Sequence, residues 1–346
     1  MFQTHLLKVF KEPELYRDMS VWNANLIEYE GKEYLISHRA ILTVTTTATC
    51  NAACPFCYND ITFTPDNKYL NVTSKVIRAL TLAKVAGVKK VALSGGEPTA
   101  NPPKLLALLR IIAPDFPKIW MHTNGLNLLR KLPQGGDLLE HLLDEGLTGI
   151  SISIAHFDQS ANGQIMVLDG GYRGLTDEDL RELSERCRER NVSLRLSCVL
   201  TSDGIRTVDD IAQYMSWGES LGIRRFVFRA AARIPSVFSL RTKEAAYNRS
   251  QALDIKPMVE AIGSWPEMHE TFQEHKTDSH LHVFSRGTTV VDFDASSEEI
   301  DPPDRKIRRL NLMPNEVLYS SWLDPRSVIF EEDLPIALDH KEFTNV

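Results

Sequence analysis

The stretch Thr47-Ala48-Thr49-Cys50-Asn51-Ala52-Ala53-Cys54-Pro55-Phe56-Cys57-Tyr58 decides the reading of this chain. Its cysteines are spaced C-x3-C-x2-C, so a single loop can present all three thiolates to one inorganic group. Soft thiolate ligands select iron–sulfur clusters or zinc. Three thiolates can hold three irons of a cubane and leave the fourth without a protein ligand. A structural zinc site asks for four protein ligands, often as two C-x2-C pairs. The other cysteines, Cys187 and Cys198, fall in a helical and a strand-like stretch, so zinc would need His122 or His156 as the fourth ligand.

Outward from this loop, short apolar runs alternate with amphipathic stretches. Strands are expected at 41–45, 88–94, 118–122, 149–154, 192–200 and 225–229, and helices at 74–87, 102–113, 136–145, 176–190 and 207–221. Strands that alternate with helices form parallel βαβ units. In parallel barrels the chemistry collects at the C-terminal strand ends. Three motifs fall there: the cysteines after the first strand, Ser94-Gly95-Gly96-Glu97-Pro98-Thr99 after the second, and Thr123-Asn124-Gly125 after the third. Residues 1–39 read as an N-terminal extension with a hairpin about Gly31. Residues 236–346 read as a C-terminal part, with a helix at 242–263 and strands at 280–284, 288–293 and 317–322.

Composition narrows the partners. The chain has 346 residues, 43% hydrophobic and 25% charged, with a net charge of -7. The densest basic stretch, Arg305-Lys306-Ile307-Arg308-Arg309, reads as a solvated segment, so no nucleic-acid partner is expected. The first residues lack a basic region followed by an apolar one, and no run of about 18 apolar residues exists. Neither a secretory signal nor a membrane span is expected. Five cysteines, three of them clustered, do not make a disulfide framework, and the cytoplasm is the natural compartment.

Cys50, Cys54 and Cys57, Phe56 before the last cysteine, Gly95-Gly96-Glu97-Pro98 and Thr123-Asn124-Gly125 together resemble the radical SAM superfamily. Its members cleave S-adenosylmethionine (SAM) reductively to make a 5′-deoxyadenosyl radical. The resemblance covers about residues 40 to 235. It implies an α/β fold: a partial (β/α)6 radical-SAM-type barrel over 40–235, the extension 1–39, and a C-terminal α+β closing region over 236–346. It implies one [4Fe–4S] cluster on Cys50, Cys54 and Cys57, with SAM chelated to the open iron. By the same resemblance Gly95, Gly96, Glu97 and Pro98 border the SAM amino group, the Phe56 backbone lies along the adenine, and Ser153 reaches the ribose. Asn124 and Ser197 join the cofactor-binding set. Each has a plainer structural reading, as a strand-to-helix turn, core packing or a turn residue.

No basic residue stands at the family's usual position for the SAM carboxylate, which leaves Arg173 or Arg195 for that role. Alternate residues of a barrel strand face inward, so either Arg195 with Ser197, or Cys198, lines the lumen. Facing inward, Cys198 is the candidate catalytic hydrogen donor; facing outward, it is a small buried hydrophobe. Cys187 belongs to the core. One of Arg229 and Arg233 pairs with a carboxylate or phosphate, or both make surface salt bridges; His122, His156, His280 and His282 receive no role. The expected function is hydrogen abstraction from a small-molecule substrate (a nucleotide, sugar or natural-product intermediate), with an electron donor such as flavodoxin or ferredoxin. The alternatives are a radical SAM peptide-modifying enzyme and a non-catalytic iron–sulfur or zinc-binding protein.

Overall fold

Aliphatic residues at every second position give the strands an apolar face that must be covered, and the intervening helices cover it. The computed structural model describes residues 24–57, 69–168, 174–232, 242–276, 279–294, 306–322 and 324–330. β1 (Ala24–Tyr29) and β2 (Lys32–Thr45) form the expected hairpin. Its turn residues Glu30 and Gly31 both adopt left-handed φ, 51° and 74°, as a two-residue turn of primed type requires. β2 continues without a break into the barrel, so the 39/40 boundary falls inside one strand.

β3 (Lys90–Ser94), β4 (Lys118–Thr123), β5 (Gly149–Ser153), β6 (Ser193–Leu200) and β7 (Arg225–Ala230) follow β2 as parallel neighbours in chain order. Between them lie α1 (Ser74–Val85), α2 (Pro102–Ile112), α3 (Leu138–Asp144), α4 (Gln159–Met166), α5 (Asp177–Glu189) and α6 (Val208–Ser220). Capping boxes start α5, from Thr176 and Asp179, and α6, from Thr207 and Asp210. The sequence reading missed α4: it buries only Asn162 and Met166, too few residues for a periodic signal, and is held at its start by the Asp158 side chain.

The C-terminal part extends the same sheet at both edges. α7 (Lys243–Gln251) and α8 (Lys256–Gly263) replace the single expected helix, because Pro257 in the first turn of α8 forbids helix continuing through 253. β8 (His269–Lys276), β9 (Ser279–Arg286) and β10 (Thr289–Asp294) form a meander, and β10 pairs with β7 in parallel. At the other edge β11 (Ile307–Leu312) pairs in parallel with β2, followed by β12 (Leu318–Tyr319). Part of the basic stretch is therefore a strand, seated by the fully buried Leu310 and Leu312. Among the described residues the sheet runs β12-β11-β2-β3-β4-β5-β6-β7-β10-β9-β8, with β1 on β2. Its helix-facing side carries Leu42, Val91, Met121, Ile150, Leu196 and Phe228, all fully buried. The opposite parity lines the lumen. No helix among the described residues is long and apolar enough to cross a membrane.

Candidate active site

The cysteine loop is held by the end of β3. Thr46 donates its N–H and its hydroxyl to Ser94 O, at 2.9 and 3.1 Å. Gly96 N–H donates to Thr47 O at 2.6 Å, and Glu97 N–H to Thr49 O at 2.8 Å. A Cβ on Gly95 would stand 2.4 Å from Thr47 O, and one on Gly96 would stand 2.3 Å from Thr49 O. The two glycines are thus required by the loop itself: only a bare backbone can approach this closely. Within the loop, Cys57 N–H donates to Cys54 O at 3.0 Å. This turn has Pro55 at its second position, where a fixed φ suits it. The loop's other side is tied to the end of α4, where Ala53 N–H donates to Val167 O at 3.0 Å and Cys54 Sγ lies 3.5 Å from Met166 O. Cys50, Cys54 and Cys57 are all half-exposed.

Glu97 ties β3 to β4 beneath this loop. Its buried carboxylate accepts from Thr99 N–H (3.0 Å), Thr99 hydroxyl (2.6 Å), Thr123 hydroxyl (2.6 Å) and Asn124 N–H (2.8 Å). Burial raises its pKa, while the four donors favour the ionised form. The carboxylate is engaged within the protein and positions the strand ends. Asn124 donates its Nδ2 to Asn51 Oδ1 at 2.6 Å, and the same Nδ2 lies 4.0 Å from Cys50 Sγ. The Nδ2 of Asn51 is buried with no acceptor among the described residues.

The lumen below is polar and charged. Gly149 leaves room for an indole, since a Cβ there would meet the Trp120 ring at 2.5 Å. Arg195 stacks 4.5 Å above that ring, donates its Nε to Ser151 Oγ at 3.0 Å, and faces Asp292 at 3.8 Å. Lys90, at the start of β3, approaches the same indole. These residues sit toward the N-terminal strand ends and floor the lumen. Toward the mouth, Ser153 and Ser197 are register partners, and Arg229 bonds Asp294 at 3.2 Å. Burial first, and then the charges of Arg195 and Arg229, push Lys90 down to about 8. Burial, then Arg229, pushes Arg195 down to about 10. Burial and the same arginines hold His122 well below its usual value, which leaves a neutral imidazole at pH 7.

Cys198 requires correction. It lies on the helix-facing side of β6, fully buried, with its Sγ 3.4 Å from Ala155 O, and is no hydrogen donor to the lumen. Arg195 and Ser197 take the inward parity. Arg195 serves the floor through Trp120, Ser151 and Asp292. Cys187 is in the core, as expected. Phe56 is half-buried in the cysteine turn, and Pro98 opens the 3-10 turn Pro98–Ala100 that follows Glu97. His156 accepts from Asp158 N–H at 2.9 Å, and His282 bonds Glu270 at 2.7 Å. His280 falls in β9. Tyr58, Arg173 and Arg233 lie outside the described residues. Sequence reasoning missed Asn51, Lys90, Trp120, Asp292 and Asp294. Strand parity was the available signal for Lys90 and Trp120.

Three cysteines on one loop and, among the described residues, a buried donor beside them with no acceptor together fit a [4Fe–4S] cluster. Among the described residues no three His, Cys, Asp or Glu side chains converge to hold a single metal ion.

Comparison with known proteins gives the same direction. A GTP 3′,8-cyclase of Clostridium perfringens is 27% identical over 168 residues, which is 47% of this chain and 47% of the relative. The molybdenum cofactor biosynthesis protein moc-5 of Caenorhabditis elegans is 35% identical over 132 residues, 37% of this chain and 21% of the relative. The chain thus spans half or less of the length of these relatives. The crystal structure of Streptococcus suis SuiB bound to S-adenosylmethionine superposes with a TM-score of 0.54 at 16% identity, covering 83% of this chain and 61% of SuiB, a likeness of fold. The sequence profile of the radical SAM superfamily matches residues 44–217, and the chain belongs to that superfamily: it is a radical SAM enzyme, whose cofactors are a [4Fe–4S] cluster and SAM.

Proposed function

We propose that this enzyme acts on a small polar substrate bearing a negatively charged group, of nucleotide type, held in the lumen above the Trp120–Arg195 floor. The observation that carries this reading is the lumen's charge: among the described residues Lys90, Arg195 and Arg229 face the carboxylates of Asp292 and Asp294, and two of these cations are held at lowered pKa. Perturbed groups gathered in one cleft mark a ligand site. An anionic group would relieve the repulsion among them. Relatives named for GTP agree with a nucleotide.

In this reading residues 40–235 bind the cofactors and 236–346 contribute the substrate side, through Asp292 and Asp294 of β10. Cys50, Cys54 and Cys57 hold the cluster. Gly95, Gly96, Phe56, Asn124, Ser153 and Ser197 border SAM, while Glu97 and Pro98 fix the strand end beneath it. When bound, these cofactors supply a 5′-deoxyadenosyl radical after one-electron reduction by a flavodoxin or ferredoxin. The chain orients the substrate through Arg229 and the neutral His122, and the lumen wall excludes water.

The test is anaerobic: reconstituted protein, SAM and dithionite, with 5′-deoxyadenosine measured by mass spectrometry and deuterated nucleotides offered as substrate. Wild type makes 5′-deoxyadenosine carrying deuterium from the nucleotide, and Cys54→Ala makes none. Deuterium taken only from a labelled peptide would replace this reading with peptide modification. Unchanged product from Cys54→Ala would remove the ligand assignment.

A further inference from the structure

We propose that the Asn51 carboxamide donates a hydrogen bond to the sulfur atoms of the bound cluster beside Cys50 and raises the cluster's reduction potential. The inference rests on the reading that Cys50 is a cluster ligand. The argument begins two steps away. Leu126 N–H donates to Asn124 Oδ1 at 3.1 Å, which fixes the orientation of that amide. The Nδ2 edge of Asn124 is then the one facing Asn51 Oδ1, at 2.6 Å, and Cys50 Sγ, at 4.0 Å. With its Oδ1 occupied by a donor, Asn51 is fixed in turn, and its Nδ2 is committed to the opposite edge. That Nδ2 has no acceptor among the described residues, and the residue is only 8% exposed.

A buried donor without a partner costs free energy and calls for an acceptor. Asn51 follows Cys50 directly in the chain, so the acceptor chemistry at hand is thiolate and sulfide. A hydrogen bond to cluster sulfur favours the reduced, more negative state, and such bonds are among the determinants of cluster potential. The relay from Leu126 through Asn124 to Asn51 also gives the Thr123-Asn124-Gly125 strand end a duty distinct from contact with SAM. Asn124 acts as a positioning residue for Asn51.

Asn51→Asp is the decisive variant. It is isosteric and keeps the acceptor for Asn124, so the relay and the loop stand, while an ionised carboxylate has no proton to donate. Asn51→Leu removes the donor without adding charge. In reconstituted holoenzyme, an EPR-monitored redox titration should show both variants harder to reduce than wild type. The expected change is about tenfold in the reduction equilibrium, about 59 mV for one electron, with Asn51→Asp the lower of the two. Wild-type potential in Asn51→Asp at full iron content overturns the proposal. If SAM affinity falls while the potential stays fixed, the donor belongs to SAM, and the proposal is equally overturned. Cys50→Ala separates the two levels: iron retained at wild-type stoichiometry there would reject the ligand reading itself. Loss of the cluster there with an unshifted Asn51→Asp rejects only this inference.

Discussion

Phe228 and Arg229 are consecutive residues of β7, and they face two different worlds. Phe228 is fully buried on the helix side, stacked on Phe293 at 5.5 Å and edge-on to Tyr214 at 5.4 Å. Arg229 faces the lumen and bonds Asp294. The partner strand repeats the division, since Phe293 pairs in register with Phe228 and Asp294 with Arg229. One step along the chain separates the group that holds the fold from the group offered to a ligand. Period-two alternation lets one sheet serve both purposes.

The largest expected effect comes from breaking this pair. Phe228→Ala should cost about 3–5 kcal/mol of stability, the range for truncating a buried aromatic. Arg229→Gln should cost about 0.5 kcal/mol or less, as for a half-buried polar change, yet raise KM for the substrate. Denaturant titrations and substrate kinetics on both variants measure it. Equal losses of stability, or an unaltered KM in Arg229→Gln, would end the division of labour.

A second pair of ion pairs sharpens the contrast. On the helix side Asp137 accepts two bonds from Arg186, at 2.7 and 2.8 Å, and caps α3 through Glu140 N–H at 3.0 Å. Burial pushes its pKa up, but Arg186 and the capping N–H overcome that and bring it to about 2. In the lumen the balance goes the other way: burial raises the pKa of Asp292 despite Arg195. A depressed carboxylate contributes stability that is fully present above its unfolded value and is lost as pH falls through the folded value. Asp137 should therefore contribute roughly 2 kcal/mol at pH 7 that disappears between about pH 4 and 2. Asp137→Asn should be destabilised at pH 7 and approach wild type near pH 2. Asp292→Asn should keep its stability at pH 7, because ionising Asp292 is unfavourable in the fold. Parallel stability curves for wild type and Asp137→Asn across that range would refute the assignment.

Much of this division was legible in the sequence, and the rest failed for physical reasons. The cysteine loop and Gly95-Gly96 are contiguous, so their chemistry could be read without any folding. Parallel strands announced themselves by alternation and spacing. The lumen carboxylates did not, because Asp292 and Asp294 reach it only when β10 pairs with β7, a contact between segments about 65 residues apart in the register Asp292–Val227. β11 was hidden by its basic residues, and α4 by its lack of apolar periodicity. Asn51 was quoted yet passed over, since an asparagine carries no signal until its hydrogen bonds are counted. The role of the glycines was also incomplete: a ligand-facing backbone was expected, while the distances from Thr47 and Thr49 show what the loop itself demands.

Cys198 gives the smallest effect and the most direct check on parity. Leu194, Leu196 and Leu200 share its side of β6, and all are buried, so the apolar pattern already pointed it toward the helices. Burial pushes its thiol well above the usual range, which leaves essentially no thiolate at neutral pH. Cys198→Ala should remove a small buried group at roughly 1 kcal/mol and leave 5′-deoxyadenosine formation and substrate turnover at the wild-type level. Iodoacetamide should spare Cys198 in the folded protein, because both access and thiolate are lacking. A variant with wild-type melting but lost turnover would place this sulfur in the chemistry. It would also mean that β6 can turn its faces over, and the separation of core from site would no longer follow from alternation alone.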